Sequence, residues 1–222
     1  MPTHPIFPTP IYFNTCSGIQ YDNIQKELTN AFNKLDFTDT QNDNHDLSVN
    51  ENNDLFSDND IVKFKCNNFI DFIHNNLMDY FNDLGIAASN PEYVNDGELI
   101  VEPNVDYIIT NSWFTKTNKG QKAPLHYHGD TDISGVYYLK TNGQDGNLQY
   151  HSNHRDYNSN FIYSKMNHRL SLPLQQGLLA LWPGNLWHDT HPNLTDHERV
   201  SVSFNIAVKR KGFKVDKDAL YR

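Results

Sequence analysis

Beyond residue 98 the chain breaks into short apolar or alternating runs, at 99–101, 107–117, 125–128, 135–140, 147–151, 161–163, 170–172, 178–182 and 200–208. Asn142-Gly143, Asp145-Gly146 and Pro183-Gly184 stand between runs as turn signals. Segments this short cannot each bury an amphipathic helix face. Alternating residues can cover one face of a sheet, so closely spaced runs with tight turns predict an antiparallel sandwich, roll or open barrel. The expected architecture is mainly β, with helices packed outside a β-roll.

The residues before 98 read differently. The prolines of 1–14 forbid a helix, and Ile6, Phe7, Ile11 and Tyr12 favour an extended segment docked on a sheet edge. Ile24, Leu28, Ala31, Phe32 and Leu35 recur at helical spacing and predict a helix over 22–35, capped by Asp22 with Gln25 three positions on. A second helix is predicted over 60–84 from Val62, Cys66, Phe69, Ile73, Leu77, Tyr80 and Leu84, with Ser57 and Asp60 at its start and Gly85 as its stop. The whole of 1–222 reads as one domain: 1–97 supplies the extended segment and two flanking helices, and 98–210 the β-roll catalytic core.

Charge and cysteine content narrow the function classes. A net charge of −9 disfavours nucleic acid, whose phosphates need clustered Lys and Arg. It leaves room for a small anion on one buried Arg. Residues 39–60 hold seven acids without Lys or Arg, yet no glycine, so a calcium loop is not expected there. Cys16 and Cys66 have no metal-ligand spacing and predict no disulfide framework, which points to a reducing, cytoplasmic setting. No signal peptide and no apolar run of membrane-spanning length is expected. A homodimer is allowed, though nothing in the chain requires it.

The chemistry concentrates in 123–205. Residues two apart on a strand point the same way, so His126 and His128, or His128 and Asp130, can converge on one ion. His188 follows an apolar run and a Pro-Gly turn, and is the expected third ligand; His191, just before Pro192, is its rival. An Fe(II) centre that uses O2 needs three protein ligands on one face and open positions opposite, with two histidines and a carboxylate the usual set. Carboxylate chemistry favours Asp130, whereas spacing serves His126 equally, and the choice stays open here. Arg199 and Ser201 also share a strand face. A guanidinium fork with a neighbouring hydroxyl suits the far carboxylate of a dicarboxylate whose other end chelates iron, as 2-oxoglutarate does. One of Tyr137 and Tyr138 must face the roll interior and could add its hydroxyl, with Tyr138 the candidate. Asn111 is a further candidate for the pocket wall, and the polar loop 151–160 a candidate lid. His151, His154, His168 and His197 read as structural.

These residues carry a resemblance. His126, His128, Ser134 to Leu139, Gly146 with Leu148, Trp182-Pro183, His188, Pro192-Asn193 and Arg199 to Asn205 resemble the motif order of a group of 2-oxoglutarate/Fe(II) dioxygenases, many from phages and bacteria. Pro5 to Pro10 and Asn111-Ser112-Trp113 are similar to that group too. The resemblance implies a double-stranded β-helix (jelly roll, cupin-like) with Fe(II), 2-oxoglutarate and O2 as reactants. It favours His126 as the first motif position. It also implies a hydroxylase, with a protein or small-molecule substrate, and likeness to prolyl hydroxylases suggests a peptidyl prolyl side chain. If phage-encoded, such a protein would work in the host cytoplasm. The contrasting expectation is a cupin-like metal-binding module without oxygenase activity, since three histidines also suit zinc.

Overall fold

A computed structural model describes residues 9–39, 48–50, 64–84, 94–95, 98–99, 105–152 and 169–210. The expected strand at 161–163, the Ser57/Asp60 cap, the Gly85 stop, residues Ile6 and Phe7, His154, His168 and most of the loop 151–160 lie outside the described residues.

In chain order the elements are β1 (Tyr12–Thr15), α1 (Gly18–Phe32), β2 (Phe37–Asp39), β3 (Ser48–Asn50), α2 (Asn67–Asp83), β4 (Val94–Asn95), β5 (Glu98–Leu99), β6 (Val105–Thr117), β7 (Ile133–Lys140), β8 (Leu148–His151), β9 (Arg169–Leu172), β10 (Leu178–Pro183), β11 (Trp187–Thr190) and β12 (Arg199–Arg210). Seven strands form one sheet in the order β1-β10-β7-β12-β6-β3-β2, and three form another in the order β11-β8-β9. Every pairing in both sheets is antiparallel. Together they make the antiparallel roll expected from the spacing of the runs, in the double-stranded β-helix form that the resemblance implies.

Strand alternation divides the side chains between two cores. On β7, β10 and β12, Tyr137, Leu139, Leu179, Leu181, Val202 and Phe204 face the helices and pack with Ile24, Leu28, Phe69, Ile73 and Leu77. The Phe69 ring meets Tyr137 edge-on at 5.3 Å and Phe204 at 6.3 Å. The opposite faces give Val136, Tyr138, Ala180 and Trp182, which pack between the sheets with Leu148, Tyr150 and Leu186. Tyr138 is therefore the member of the tyrosine pair that faces inward. Gly135 is demanded by the first core: a β-carbon there would stand 2.3 Å from the Phe204 ring.

Three boundaries differ from the sequence expectation. First, α1 begins at Gly18 with Ser17 in the extended N-cap position, leaving Asp22 inside the helix, and it ends at Phe32 with Asn33 as C-cap. Second, α2 begins at Asn67, and 64–66 are not helical. Its first amides are satisfied from α1: Glu27 accepts from the backbone N–H groups of Asn68 and Phe69, each at 3.2 Å, and from the Asn68 side chain at 2.6 Å. A carboxylate from a neighbouring helix serves where a local capping box was expected. Third, 125–128 is no regular strand. Thr190 donates its backbone N–H to Ala123, His126 and His188 exchange backbone bonds, and the His128 N–H then turns to Gly184 at 2.8 Å. The segment leaves the edge of β11 to follow the turn beyond β10. Among the described residues, no helix is long and apolar enough to cross a membrane. Cys16 and Cys66 are free and buried.

Candidate metal and anion site

Three histidines meet at the mouth of the roll. His126 and His128 come from the segment crossing the edge of β11, and His188 from β11 itself. Ring centroids lie 4.2 Å apart for His126 and His188, 5.1 Å for His126 and His128, and 5.3 Å for His128 and His188. One nitrogen from each lies within 4.8 Å of the others. Asp130, in the turn after Gly129, is exposed and outside this group. His191 is exposed too.

Each ring is oriented by a partner. The Nδ1 of His126 is 2.7 Å from the Pro124 carbonyl, and that of His188 is 2.9 Å from the Leu186 carbonyl. A carbonyl only accepts, so both Nδ1 atoms carry the proton and Nε2 keeps its lone pair. This is the tautomer that anchored metal-binding histidines adopt. The His128 ring hydrogen-bonds the Asn205 side chain. Trp113 stacks on His128 at 5.9 Å, and Trp182 stands edge-on to His188 at 4.8 Å. Burial, then the neighbouring His126, pushes His188 down to about 3 and His128 to about 4. Both are neutral at pH 7, the form that ligates. Neutral His128 and His188, together with His126 anchored through its Nδ1, fit a divalent transition ion.

The histidines open on a cavity of about 390 Å³ whose wall also holds Tyr138, Trp182, Thr190, Arg199 and Ser201. No Asp or Glu lines it among the described residues. Arg199 is 3 % exposed. Its Nη1 donates to the carbonyls of Asp145 at 2.6 Å and Gly146 at 3.0 Å, and its Nη2 to the Thr190 hydroxyl at 3.0 Å. None of these partners is a carboxylate, so the guanidinium is oriented without a direct ion pair, although the buried Asp145 carboxylate acts on its charge. The Asp145 carboxylate, fully buried, is held by Thr141, the Asn142 N–H and His197. Gly146 is needed at φ +101°: a β-carbon there would fall 2.3 Å from the His191 carbonyl oxygen and 2.8 Å from Arg199 Nη1. Trp182 adds a buried Nε1–H that has no partner among the described residues. A donor-only group on the wall of a cavity that also holds a guanidinium suits oxygen-rich, anionic contents.

Of the residues named from sequence, the structure brings His126, His128, His188, Tyr138, Arg199 and Ser201 to one cavity. Asn111 is exposed on β6, paired in register with Asn205, and is not on the cavity wall. Its strand-mate Trp113 is. Thr190 went unnamed, and Asn205 was named only as the end of the resemblance motif. Thr190 lies two residues beyond His188 on the same strand, so the period-two argument that linked His126 to His128 would have found it.

Residues 111–205 match the model of a family described as "Putative 2OG-Fe(II) oxygenase". No curated protein matches the sequence. Among solved structures, a prolyl-4-hydroxylase from Pseudomonas putida superposes with a TM-score of 0.53 at 12% identity, over 90% of this chain and 93% of that one. A Trichoplax adhaerens prolyl hydroxylase, solved with a hypoxia inducible factor peptide, gives 0.55 at 14% identity over 96% and 86%. HygX from Streptomyces hygroscopicus, solved with nickel and 2-oxoglutarate, gives 0.54 at 12% identity over 92% and 84%. At these identities the likeness is one of fold, and it agrees with the double-stranded β-helix. Over that segment, less than half of the chain, the sequence is similar to 2OG-Fe(II) oxygenase domains, enzymes whose reactants are Fe(II), 2-oxoglutarate and O2.

Proposed function

We propose that this chain is a 2OG-Fe(II) oxygenase, a hydroxylase whose iron is held by His126, His128 and His188, and whose 2-oxoglutarate is held at its distal carboxylate by Arg199, Ser201 and Tyr138. The observation that carries the reading is a single one. Three clustered imidazoles and an oriented guanidinium with no direct carboxylate partner line the same cavity. A dicarboxylate bridges two such groups. In this reading Asp130 is not a ligand, because it stands in the solvent outside the histidine group.

Bound Fe(II) supplies O2 activation: 2-oxoglutarate loses CO2 to become succinate with one oxygen atom, and the other enters a substrate C–H bond as hydroxyl. The protein contributes placement. Pro124, Leu186 and Asn205 fix the three rings. Trp113 and Trp182 shield two of them from water. The carbonyls of Asp145 and Gly146 aim Arg199. For the substrate, a peptidyl prolyl side chain is the reading favoured by likeness of fold to the two prolyl hydroxylases.

Anaerobic Fe(II) protein titrated with 2-oxoglutarate should develop a visible charge-transfer band, and Arg199→Ala should lose the band while retaining metal. An all-histidine donor set also suits zinc without redox chemistry. That second reading, a cupin-like metal-binding module, gains if no band forms and zinc outcompetes Fe(II) with no loss of structure.

A further inference from the structure

The cavity is blind at one end and open at the other, and two neighbouring strands record the change. On β6 and β12, Thr117, Arg199 and Ser201 are buried, whereas Trp113, Thr115 and Ser203 are only half-buried. Across from them Ala123, Pro124, His126 and His128 are half-buried as well. All of these line the one cavity. It therefore opens between β6 and the 123–128 segment, on the side of the histidines away from Arg199.

The open half has its own chemistry. Strand register sets Ser203 opposite Trp113 and Ser201 opposite Thr115. Thr115 and Ser203 are thus diagonal neighbours on one sheet face, within reach of a single small group. Neither hydroxyl has a hydrogen-bond partner among the described residues. The Trp113 indole lies nearly parallel to the His128 ring, at 20° and 5.9 Å, and forms a flat wall beside them. Among the described residues that line the cavity, Arg199 at the blind end is the only Lys, Arg, Asp or Glu.

We infer that Trp113, Thr115 and Ser203 form a substrate subsite for a neutral amide carrying an aliphatic group, so that the substrate is an amide-linked residue of a larger molecule and not a free amino acid. This rests on the oxygenase reading above. A free amino acid brings an ammonium and a carboxylate beside its side chain. Drawing either out of water calls for a counter-charge, and the one cation on the wall stands at the blind end. A polyol brings a hydroxyl on nearly every carbon, and two wall hydroxyls would leave most of them unsatisfied. An amide brings one acceptor and at most one donor, which Thr115 and Ser203 can serve. Its aliphatic part then lies against the indole, Ala123 and Pro124.

The test uses anaerobic protein loaded with Fe(II) and 2-oxoglutarate, and reads binding from the change that a bound neighbour makes in the charge-transfer band. The probes are the N-acetyl methylamides of proline, alanine, valine and leucine, each set against its free amino acid. At least one amide should perturb the band, with a Kd about tenfold or more below that of its free amino acid. Ser203→Ala and Thr115→Val each remove one hydroxyl and should weaken that amide by about fivefold. No response to any amide, or an equal response to amide and free amino acid, would overturn the inference, as would an unaltered amide affinity in both variants. Loss of the 2-oxoglutarate band itself in either variant would put the hydroxyls on the co-substrate and overturn it too. Absence of the band in the unsubstituted protein would instead overturn the oxygenase reading.

Discussion

His126 and His188 are joined twice by their backbones, His126 N–H to His188 O at 3.0 Å and His188 N–H to His126 O at 2.9 Å, while their rings stand 4.2 Å apart. An isolated antiparallel bridge thus sets the spacing of two candidate ligands that are sixty-two residues apart in sequence. Rigid backbone pairing of this kind keeps donor atoms in place before an ion arrives.

Removing one ligand from such a group should abolish tight binding. His188→Ala and His126→Ala are each expected to lose stoichiometric Fe(II) or Co(II), measured by elemental analysis after gel filtration, while the circular dichroism spectrum is kept. Asp130→Asn should retain full metal content. Metal loss in Asp130→Asn with retention in His126→Ala would reverse the assignment.

Gly146 touches the anion end through its lack of a side chain. Gly146→Ala should displace the Arg199 guanidinium and the His191 carbonyl, since both lie within 3 Å of the added carbon. The positive φ adds strain of about 1 kcal/mol. Affinity for 2-oxoglutarate is expected to fall about tenfold or more by isothermal titration, with metal binding intact.

The acid limb of stability follows from the buried imidazoles. Burial, then His126, holds His128 near 4 and His188 near 3, whereas both titrate near ~6.5 in an unfolded chain. Between those values the unfolded state binds more protons, so the metal-free protein should lose stability as pH falls from about 7 toward 4. Urea midpoints across that range should show the slope, and His188→Asn should flatten it. A midpoint that rises on acidification would contradict the sign.

The helix layer makes separate predictions. Phe69 is fully buried between α2 and the large sheet, so Phe69→Ala should cost ~3–5 kcal/mol in the urea unfolding free energy. Glu27→Ala removes the acceptor for the first amides of α2 and should cost ~1–2 kcal/mol in the same measurement. A cost no larger for Glu27→Ala than for an exposed α1 residue such as Lys26 would show that α2 needs no cap from α1.

Much of the fold was legible because strand alternation is local. The runs at 135–140, 178–182 and 200–208 correspond to β7, β10 and β12, and their alternation separates residues facing the helices from those facing the cavity. Placement of Arg199 and Ser201 on one face follows from the same period. The helices were legible as faces but not as ends, because the cap of α2 is a carboxylate from α1. Strand β11 was missed: Trp187-His188-Asp189-Thr190 has no alternation of its own and becomes a strand by pairing with β8.

The sequence alone determined the β-roll, its outer helices and the residue types that face inward, since side-chain direction and hydrophobic period are properties of each segment. Tertiary structure decided what those residues meet. It left Asp130 in the solvent and drew His126 to His188 through a backbone bridge. It turned Asn111 outward, and it set Thr190 against Arg199. Each outcome depends on pairing between segments far apart in the chain, whose register is a balance of nonlocal hydrogen bonds and packing that no single segment encodes.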